Sequence, residues 1–218
     1  MKINEIFYSL EGEGKRVGQP CIFIRRSGCN LHCKYDGKDC DTPYRNEGEE
    51  MSVEQILDKI AEYGCKNVTL TGGEPLLPCN DMYRLRKALN EEGYKVNIET
   101  NGTMSTALQF DNEFFTVDYK CGCSGETSKM NLEAFVLLGE QDVVKFVVSK
   151  DDFEQVRAVI EEGEILEGKP FVYLSPCFGK CDLRKLAQFV KELYQIYPKV
   201  GLSLQTHKII WSPEERGV

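Results

Sequence analysis

Three cysteines, Cys29, Cys33 and Cys40, stand in one short stretch that reads Gly28-Cys29-Asn30-Leu31-His32-Cys33 and then Cys40-Asp41-Thr42. Iron–sulfur clusters are ordinarily held by four thiolates, so a triplet leaves one iron without a protein ligand. An open position on a metal is a place for chemistry rather than for structure alone. Downstream, Thr71-Gly72-Gly73-Glu74-Pro75 closes a β-rich run. A glycine pair followed by a carboxylate suits close backbone approach to an amino-acid-like ligand. Taken singly, each feature has a plainer reading. The thiols suit a structural zinc site completed by His32 or another cysteine, and a glycine pair after a strand is an ordinary turn.

Taken together, the two features point to a cluster that binds and cleaves S-adenosylmethionine. Gly72 and Gly73 then leave space for its methionine part, and Glu74, or the backbone beside it, takes its ammonium. Glu99, at the end of another β-rich run, is suited to the ribose hydroxyls, although a solvated rim carboxylate explains it equally well.

These residues need a scaffold that brings them to one edge. Short β-rich runs alternate with amphipathic helices along the chain, the pattern of a parallel α/β fold. Cys21–Arg25 is the first apolar strand, and Asn67–Thr71 delivers the Gly-Gly-Glu turn. Between them Ser52 and Gln55 form a capping box, with Met51 and Ile56 as its staple. Val53, Ile56, Leu57, Ile60 and Ala61 then make one helical stripe ending near Gly64. A helix over Asp81 to Glu92 follows, then strands at Lys95–Glu99, Phe115–Tyr119, Asp142–Ser149, Phe171–Ser175 and Gly201–Gln205. Further helices begin near Asp152 and span Leu183 to Tyr197. The polar motifs all fall just after strands, the rim where ligands converge in barrel-like folds. We expect one domain over residues 1–218 built as a partial, open β/α barrel. The cluster loop covers about 26–45 and a tail about 206–218. At 218 residues the chain is short for a complete eight-fold barrel.

The formal net charge of −8 argues against a basic footprint for nucleic acid or an anionic membrane. The start, Met1-Lys2-Ile3-Asn4-Glu5, lacks the apolar run of a signal peptide. No apolar stretch reaches membrane-spanning length. The expected setting is cytoplasmic. Ten cysteines in such a chain read as buried or metal-binding thiols rather than a disulfide framework.

The cysteine loop and the Gly-Gly-Glu-Pro turn resemble the radical S-adenosylmethionine superfamily. The flanks are similar to the 7-carboxy-7-deazaguanine synthase family of the 7-deazapurine (queuosine) pathway. They include Phe7-Tyr8-Ser9-Leu10-Glu11-Gly12-Glu13-Gly14, Gly18-Gln19-Pro20 and Phe23-Ile24-Arg25. The likeness continues through Glu99-Thr100-Asn101-Gly102, Asp118-Tyr119-Lys120, Ser175-Pro176 and Gln205-Thr206-His207-Lys208. Two stretches depart from the family pattern. The superfamily spacing is Cys-x3-Cys-x2-Cys, whereas here Lys34 to Asp39 separates Cys33 from Cys40. The family accommodates insertions in this loop, and Cys40 keeps the expected Asp-Thr behind it. The second departure is Lys120-Cys121-Gly122-Cys123-Ser124-Gly125, where the family commonly has Lys-x-Pro-Ser-Ser-Gly. With Cys177 and Cys181 after another strand, four cysteines share one rim. They read either as rim thiols or as a second metal site.

The resemblance implies a ring-contracting lyase acting on 6-carboxy-5,6,7,8-tetrahydropterin, with ammonia lost and S-adenosylmethionine regenerated. It implies Cys29, Cys33 and Cys40 as ligands of a 4Fe–4S cluster. It places Gly72, Gly73, Glu74, Glu99, Lys120, Ser124 and Ser175 at the cofactor. Leu10, Glu11, Gly12, Arg25, Thr71 and Pro213 fall at the substrate, Arg25 as the guanidinium for its carboxylate. A planar fork suits that role better than an ammonium. Without the family, Arg25 reads as a surface ion pair, and Glu11 and Glu13 as an ordinary acidic turn. Thr42 matches a position whose hydroxyl binds Mg²⁺, with Asp36 and Asp41 as unmatched helpers, and His207 faces either substrate or core. The chain runs on past Pro213, where the family's chain ends on the substrate. A flavodoxin or ferredoxin as electron donor and a homodimer are likewise implied.

Two other readings stay open at this point. One is an activating enzyme that makes a glycyl radical on a partner protein, and the other a cysteine-rich zinc protein without catalytic function. The Leu10–Gly14 loop with Arg25 separates the first, because only a small carboxylated substrate requires both.

Overall fold

The computed structural model describes residues 1–35, 38–40, 45–213 and 215–218. In chain order its strands are β1 (Lys2–Leu10), β2 (Pro20–Arg26), β3 (Lys34–Tyr35), β4 (Lys38–Asp39) and β5 (Glu49–Glu50). They continue with β6 (Asn67–Gly72), β7 (Lys95–Thr100), β8 (Glu113–Lys120), β9 (Val143–Val148), β10 (Phe171–Pro176) and β11 (Val200–Leu202). The helices are α1 (Val53–Ala61), α2 (Asn80–Glu91), α3 (Leu132–Val136), α4 (Phe153–Glu162), α5 (Leu183–Leu193) and α6 (His207–Ile210).

Among the described residues, nine strands form one sheet in the order β11-β10-β9-β8-β7-β6-β2-β1-β5. The pairs from β2 to β11 are parallel, and β1 adds antiparallel to β2. No described ladder joins β11 to β5, so the sheet stays open, as the partial barrel expected from sequence requires.

The alternation along each strand divides the sheet into two chemically distinct faces. Val68, Leu70, Val96, Ile98, Val117, Val144, Phe146, Val172 and Leu174 are fully buried. They form one core with helix residues such as Ile56, Ile60, Leu85, Leu89, Ile160, Leu186 and Leu193. The intervening positions carry Thr69, Thr71, Asn97, Glu99, Thr116, Asp118, Lys120, Lys145 and Ser175. The apolar face therefore holds the fold together, at about 1.5–3 kcal/mol per buried large side chain. The polar face is left for the site.

Local signals in the sequence are realised where they are strong. Ser52 accepts from the Gln55 backbone at 3.2 Å and donates its own N–H to Gln55 Oε1 at 2.8 Å, completing the capping box of α1. Other elements differ from expectation. The first strand is Lys2–Leu10, not Cys21–Arg25; a register shift between Ile3 and Glu5 puts Ile3 and Ile6 in the core and breaks the alternation that would announce it. The last strand stops at Leu202, and α5 stops at Leu193. Tyr197, beyond that helix, is held instead through its hydroxyl on Pro170 O at 2.5 Å. The helices α3 and α6 are too short to show a period.

Candidate active site

The cysteine loop leaves the C-terminal end of β2. Its six-residue gap between Cys33 and Cys40 holds the small β3–β4 ladder, with Lys34 opposite Asp39 and Tyr35 opposite Lys38. The ladder returns Cys40 to Cys33, and the Cys40 N–H donates to Cys33 O at 3.1 Å. The insertion therefore folds back on itself and leaves the cysteines neighbours.

Cys33 is buried, and burial pushes its thiol up to about 11. Lys120 pulls it down, while Cys40 and Cys29 add to the rise. Among the described residues no three His, Cys, Asp or Glu side chains are gathered to hold a single ion. A cluster makes a different demand, since its three thiolates bind separate irons. The donor set fits such a cluster. Cys29 Sγ already faces the Leu31 N–H at 3.4 Å and the Asn101 amide at 3.7 Å, the kind of contact that tunes a cluster's potential.

The Gly-Gly-Glu turn packs directly on this loop. A Cβ on Gly73 would collide with the Gly28 carbonyl, and one on Gly72 with the Arg26 carbonyl. Glu74 donates its N–H to Gly28 O at 2.8 Å. The glycines thus serve close approach between turn and cysteine loop. The Glu74 carboxylate is fully buried and accepts from Thr100 Oγ1 at 2.9 Å, the Asn101 N–H at 2.7 Å and the Leu76 N–H at 2.8 Å. With these donors it braces the end of β7. The backbone of the turn remains the part suited to the cofactor.

Asn101, which sequence reasoning did not single out, reaches from the same strand end to Asn30 at 3.0 Å and locks the two loops together. Ser124 is buried and spends its hydroxyl within its own turn, donating to Cys121 O at 2.6 Å.

The polar face of the sheet is crossed by the loop from Glu11 to Gln19. Lys15 bonds Gln141 O at 2.6 Å, and Arg16 bonds Lys95 O and Val68 O, each at 2.9 Å; these partners lie at or near the strand starts. Glu11 and Glu13 are therefore not an ordinary acidic turn, since both project among the polar residues of the sheet. Thr69 donates to Glu11 at 2.6 Å and receives from Arg16 at 2.7 Å, and Arg16 also pairs with Glu11 at 3.5 Å. Thr71 donates to Glu99 at 2.8 Å. Lys145 bridges Glu13 and Asp118, and Asp118 also holds Lys120. Ser175 donates to Glu13 at 3.2 Å. Burial works against the charge of Asp118, Lys120 and Lys145, but their mutual attraction outweighs it. Asp118 stays below and both lysines above their ordinary values.

Glu11 and Glu99 go the other way, each raised first of all by burial. Burial, then the charge of Glu99, raises Glu11 from 4.5 to about 7, against the pull of Thr69 and Arg16. Between those values the folded chain holds a proton that the unfolded chain has released. Stability must then fall as pH rises through that window and level off above it. Glu11→Gln, permanently neutral, should remove Glu11's share of this slope, so its melting temperature relative to wild type rises between about pH 5.5 and about pH 8. A constant difference would show Glu11 ionised throughout.

Arg25 sits in register with Thr71 across β2 and β6. Its Nε donates to Glu5 at 2.7 Å, a contact that orients the guanidinium and does not use its Nη edge. The carboxyl-terminal segment closes over Gly12: Thr206 donates to Gly12 O at 3.0 Å, and the His207 ring occupies the space a Gly12 side chain would take. Leu10 lines an outer cavity of about 300 Å³ with Tyr8, Pro20, Trp211 and Val218. Pro213 is exposed, and the tail beyond it is anchored by Arg216 to Glu47 and Glu5. Thr42, Asp36 and Asp41 lie outside the described residues.

None of the four rim cysteines is in a disulfide. Cys123 Sγ faces Val147 O at 3.6 Å, and the Cys177 N–H bonds Val148 O at 2.8 Å, so the two flank the end of β9. Burial, with Asp152 and the neighbouring thiols, pushes Cys121 and Cys123 far above the usual range. Among the described residues they are not gathered with a third such side chain on one ion.

An open α/β half-barrel with a three-thiol loop packed on a Gly-Gly-Glu turn defines a radical S-adenosylmethionine enzyme. The Radical SAM superfamily model accordingly matches residues 24–114. The chain is 41% identical to the 7-carboxy-7-deazaguanine synthase of Clostridium acetobutylicum, over 100% of this chain and 99% of that one. It is 38% identical to the synthase of the same name from Leptospira interrogans, over 99% and 97%. The crystal structure of QueE from Escherichia coli superposes with a TM-score of 0.72 at 26% identity, covering 94% of this chain and 93% of that one. The chain belongs to the 7-carboxy-7-deazaguanine synthase family.

Proposed function

We propose that this chain contracts the ring of 6-carboxy-5,6,7,8-tetrahydropterin to give 7-carboxy-7-deazaguanine, releasing ammonia. The observation that carries the reading is the position of Arg25. It lies four residues before Cys29, in register with Thr71, whose hydroxyl bonds Glu99. A guanidinium for a small carboxylate thus shares one rim with the cysteine loop and the ribose candidate.

When bound, the cluster and S-adenosylmethionine supply the one-electron chemistry that removes a substrate hydrogen. The chain's own residues bind, orient and exclude water. Cys29, Cys33 and Cys40 hold the cluster. The turn backbone at Gly72 to Glu74, with Glu99, Lys120, Ser124 and Ser175, lines the cofactor position. Leu10, Glu11, Gly12, Thr71 and Arg25 line the substrate position, and a neutral Glu11 can donate a hydrogen bond to a ring acceptor. Pro213 belongs to this set only if the tail moves inward. Thr42 is proposed for Mg²⁺, which completes its shell with waters and substrate oxygens. A flavodoxin or ferredoxin as donor, a homodimer, a single-domain chain and a cytoplasmic setting complete the reading. No described helix is long and apolar enough to cross a membrane.

Arg25→Ala should raise the KM for the pterin by about a hundredfold, the scale of one lost charge-assisted pair. Cleavage of S-adenosylmethionine without substrate should persist. An unchanged KM would remove Arg25 from the site.

A further inference from the structure

Lys145 joins Glu13 of the substrate loop to Asp118 beside the cofactor segment, and its one signal in sequence is its place inside an apolar run. It interrupts Val143-Val144-Lys145-Phe146-Val147-Val148, an otherwise apolar central strand flanked by β8 and β10. Lysine is almost never buried unless paired, and Lys145 is 7% exposed. Its Nζ donates to Glu13 Oε2 at 2.8 Å and lies 3.1 Å from Asp118 Oδ1. The second oxygen of each carboxylate faces a cofactor candidate. Glu13 Oε1 accepts from Ser175 at 3.2 Å, and Asp118 Oδ2 accepts from Lys120 at 2.8 Å. Glu13 directly follows Leu10-Glu11-Gly12, the substrate loop. A continuous chain of contacts therefore runs Ser175–Glu13–Lys145–Asp118–Lys120, with one cation at its centre.

We infer that Lys145 is a positioning residue that locks the substrate loop, held through Glu13, to the cofactor segment at Lys120, held through Asp118, so that each ligand tightens the binding of the other. The inference rests on the function proposed above for the identity of the second ligand. Coupling of this kind is reciprocal: whatever factor the pterin contributes to S-adenosylmethionine affinity, the cofactor returns to the pterin. A lysine placed only to neutralise buried carboxylates would contribute stability and no such factor.

The test uses anaerobically reconstituted holoenzyme of full iron content. The affinity for S-adenosylmethionine is measured by calorimetry with and without 6-carboxytetrahydropterin. Wild type should show tightening of about tenfold on adding the pterin, within the usual range of coupling between sites. Lys145→Met should bind S-adenosylmethionine about tenfold more weakly and lose the tightening, while Lys145→Arg restores most of both. Should Lys145→Met fail to fold, Glu13→Gln/Lys145→Met removes the cation together with one carboxylate, leaves Asp118 paired with Lys120, and should give the same loss. Wild-type affinity and tightening in either folded variant would overturn the inference. If wild type binds no pterin, the substrate assignment fails. The cofactor arm then still decides Lys145: weaker binding in Lys145→Met with rescue by arginine sustains its role, and unchanged binding overturns it.

Discussion

Cys40→Ala should lose its cluster altogether, with iron after anaerobic reconstitution falling from about four per chain to near zero. Product formation should fall with it by at least about a thousandfold, since without the cluster the one-electron chemistry has no source. The expectation is sharp because Cys40 sits at an unusual spacing. Sequence alone makes it the weakest of the three ligands, whereas the β3–β4 ladder returns it to within one backbone hydrogen bond of Cys33. Its sulfur also contributes to the raised Cys33 thiol. Iron analysis with electron paramagnetic resonance of the reduced protein reads the outcome. A retained 4Fe–4S signal would assign the third ligand to another cysteine.

Glu113→Ala should cost about 3–5 kcal/mol of stability, the penalty for leaving a buried charge without its partner. Glu113 is 2% exposed and takes both Nε and Nη2 of Arg86, at 2.9 and 2.7 Å. It also accepts the Phe110 N–H at 2.9 Å. The pair stands at the start of β8, away from the cysteine rim, between α2 and the sheet. The melting temperature should drop by roughly 6–20 °C for a chain of this size, while the folded fraction keeps its affinity for S-adenosylmethionine. A drop under a few degrees would mean that Arg86 finds another partner, such as Leu108 O, which it already bonds at 2.7 Å.

The parts of this molecule that were legible in sequence are those encoded by short-range patterns. The three cysteines, the Gly-Gly-Glu turn, the capping box of α1 and the alternation of apolar runs all report local geometry, and the open, mostly parallel sheet followed from them. The β1 strand was hidden because a bulge near Ile3 shifts its period. Glu74, or the backbone beside it, was expected at the cofactor's ammonium, and Ser124 was placed at the cofactor by the family resemblance. Only the fold shows that Thr100, Asn101 and Leu76 already take up the Glu74 carboxylate and that Ser124 closes its own turn. Arg16, Asn101 and Lys145 were given no role for a related reason. Their partners, such as Val68, Asn30 and Glu13, are far away in sequence, so no spacing rule connects them. A lone lysine inside an apolar strand was nevertheless a signal, since only a buried counter-charge would tolerate it.

The most direct test of the whole account is an anaerobic turnover assay with reconstituted protein. It contains S-adenosylmethionine, a reductant, Mg²⁺ and 6-carboxy-5,6,7,8-tetrahydropterin, and is read by mass spectrometry. The account predicts many equivalents of 7-carboxy-7-deazaguanine per chain, with 5′-deoxyadenosine far below that amount because the cofactor is regenerated. Cleavage of S-adenosylmethionine with no 7-carboxy-7-deazaguanine would contradict it and turn the search to another substrate, first to a glycyl-radical partner protein.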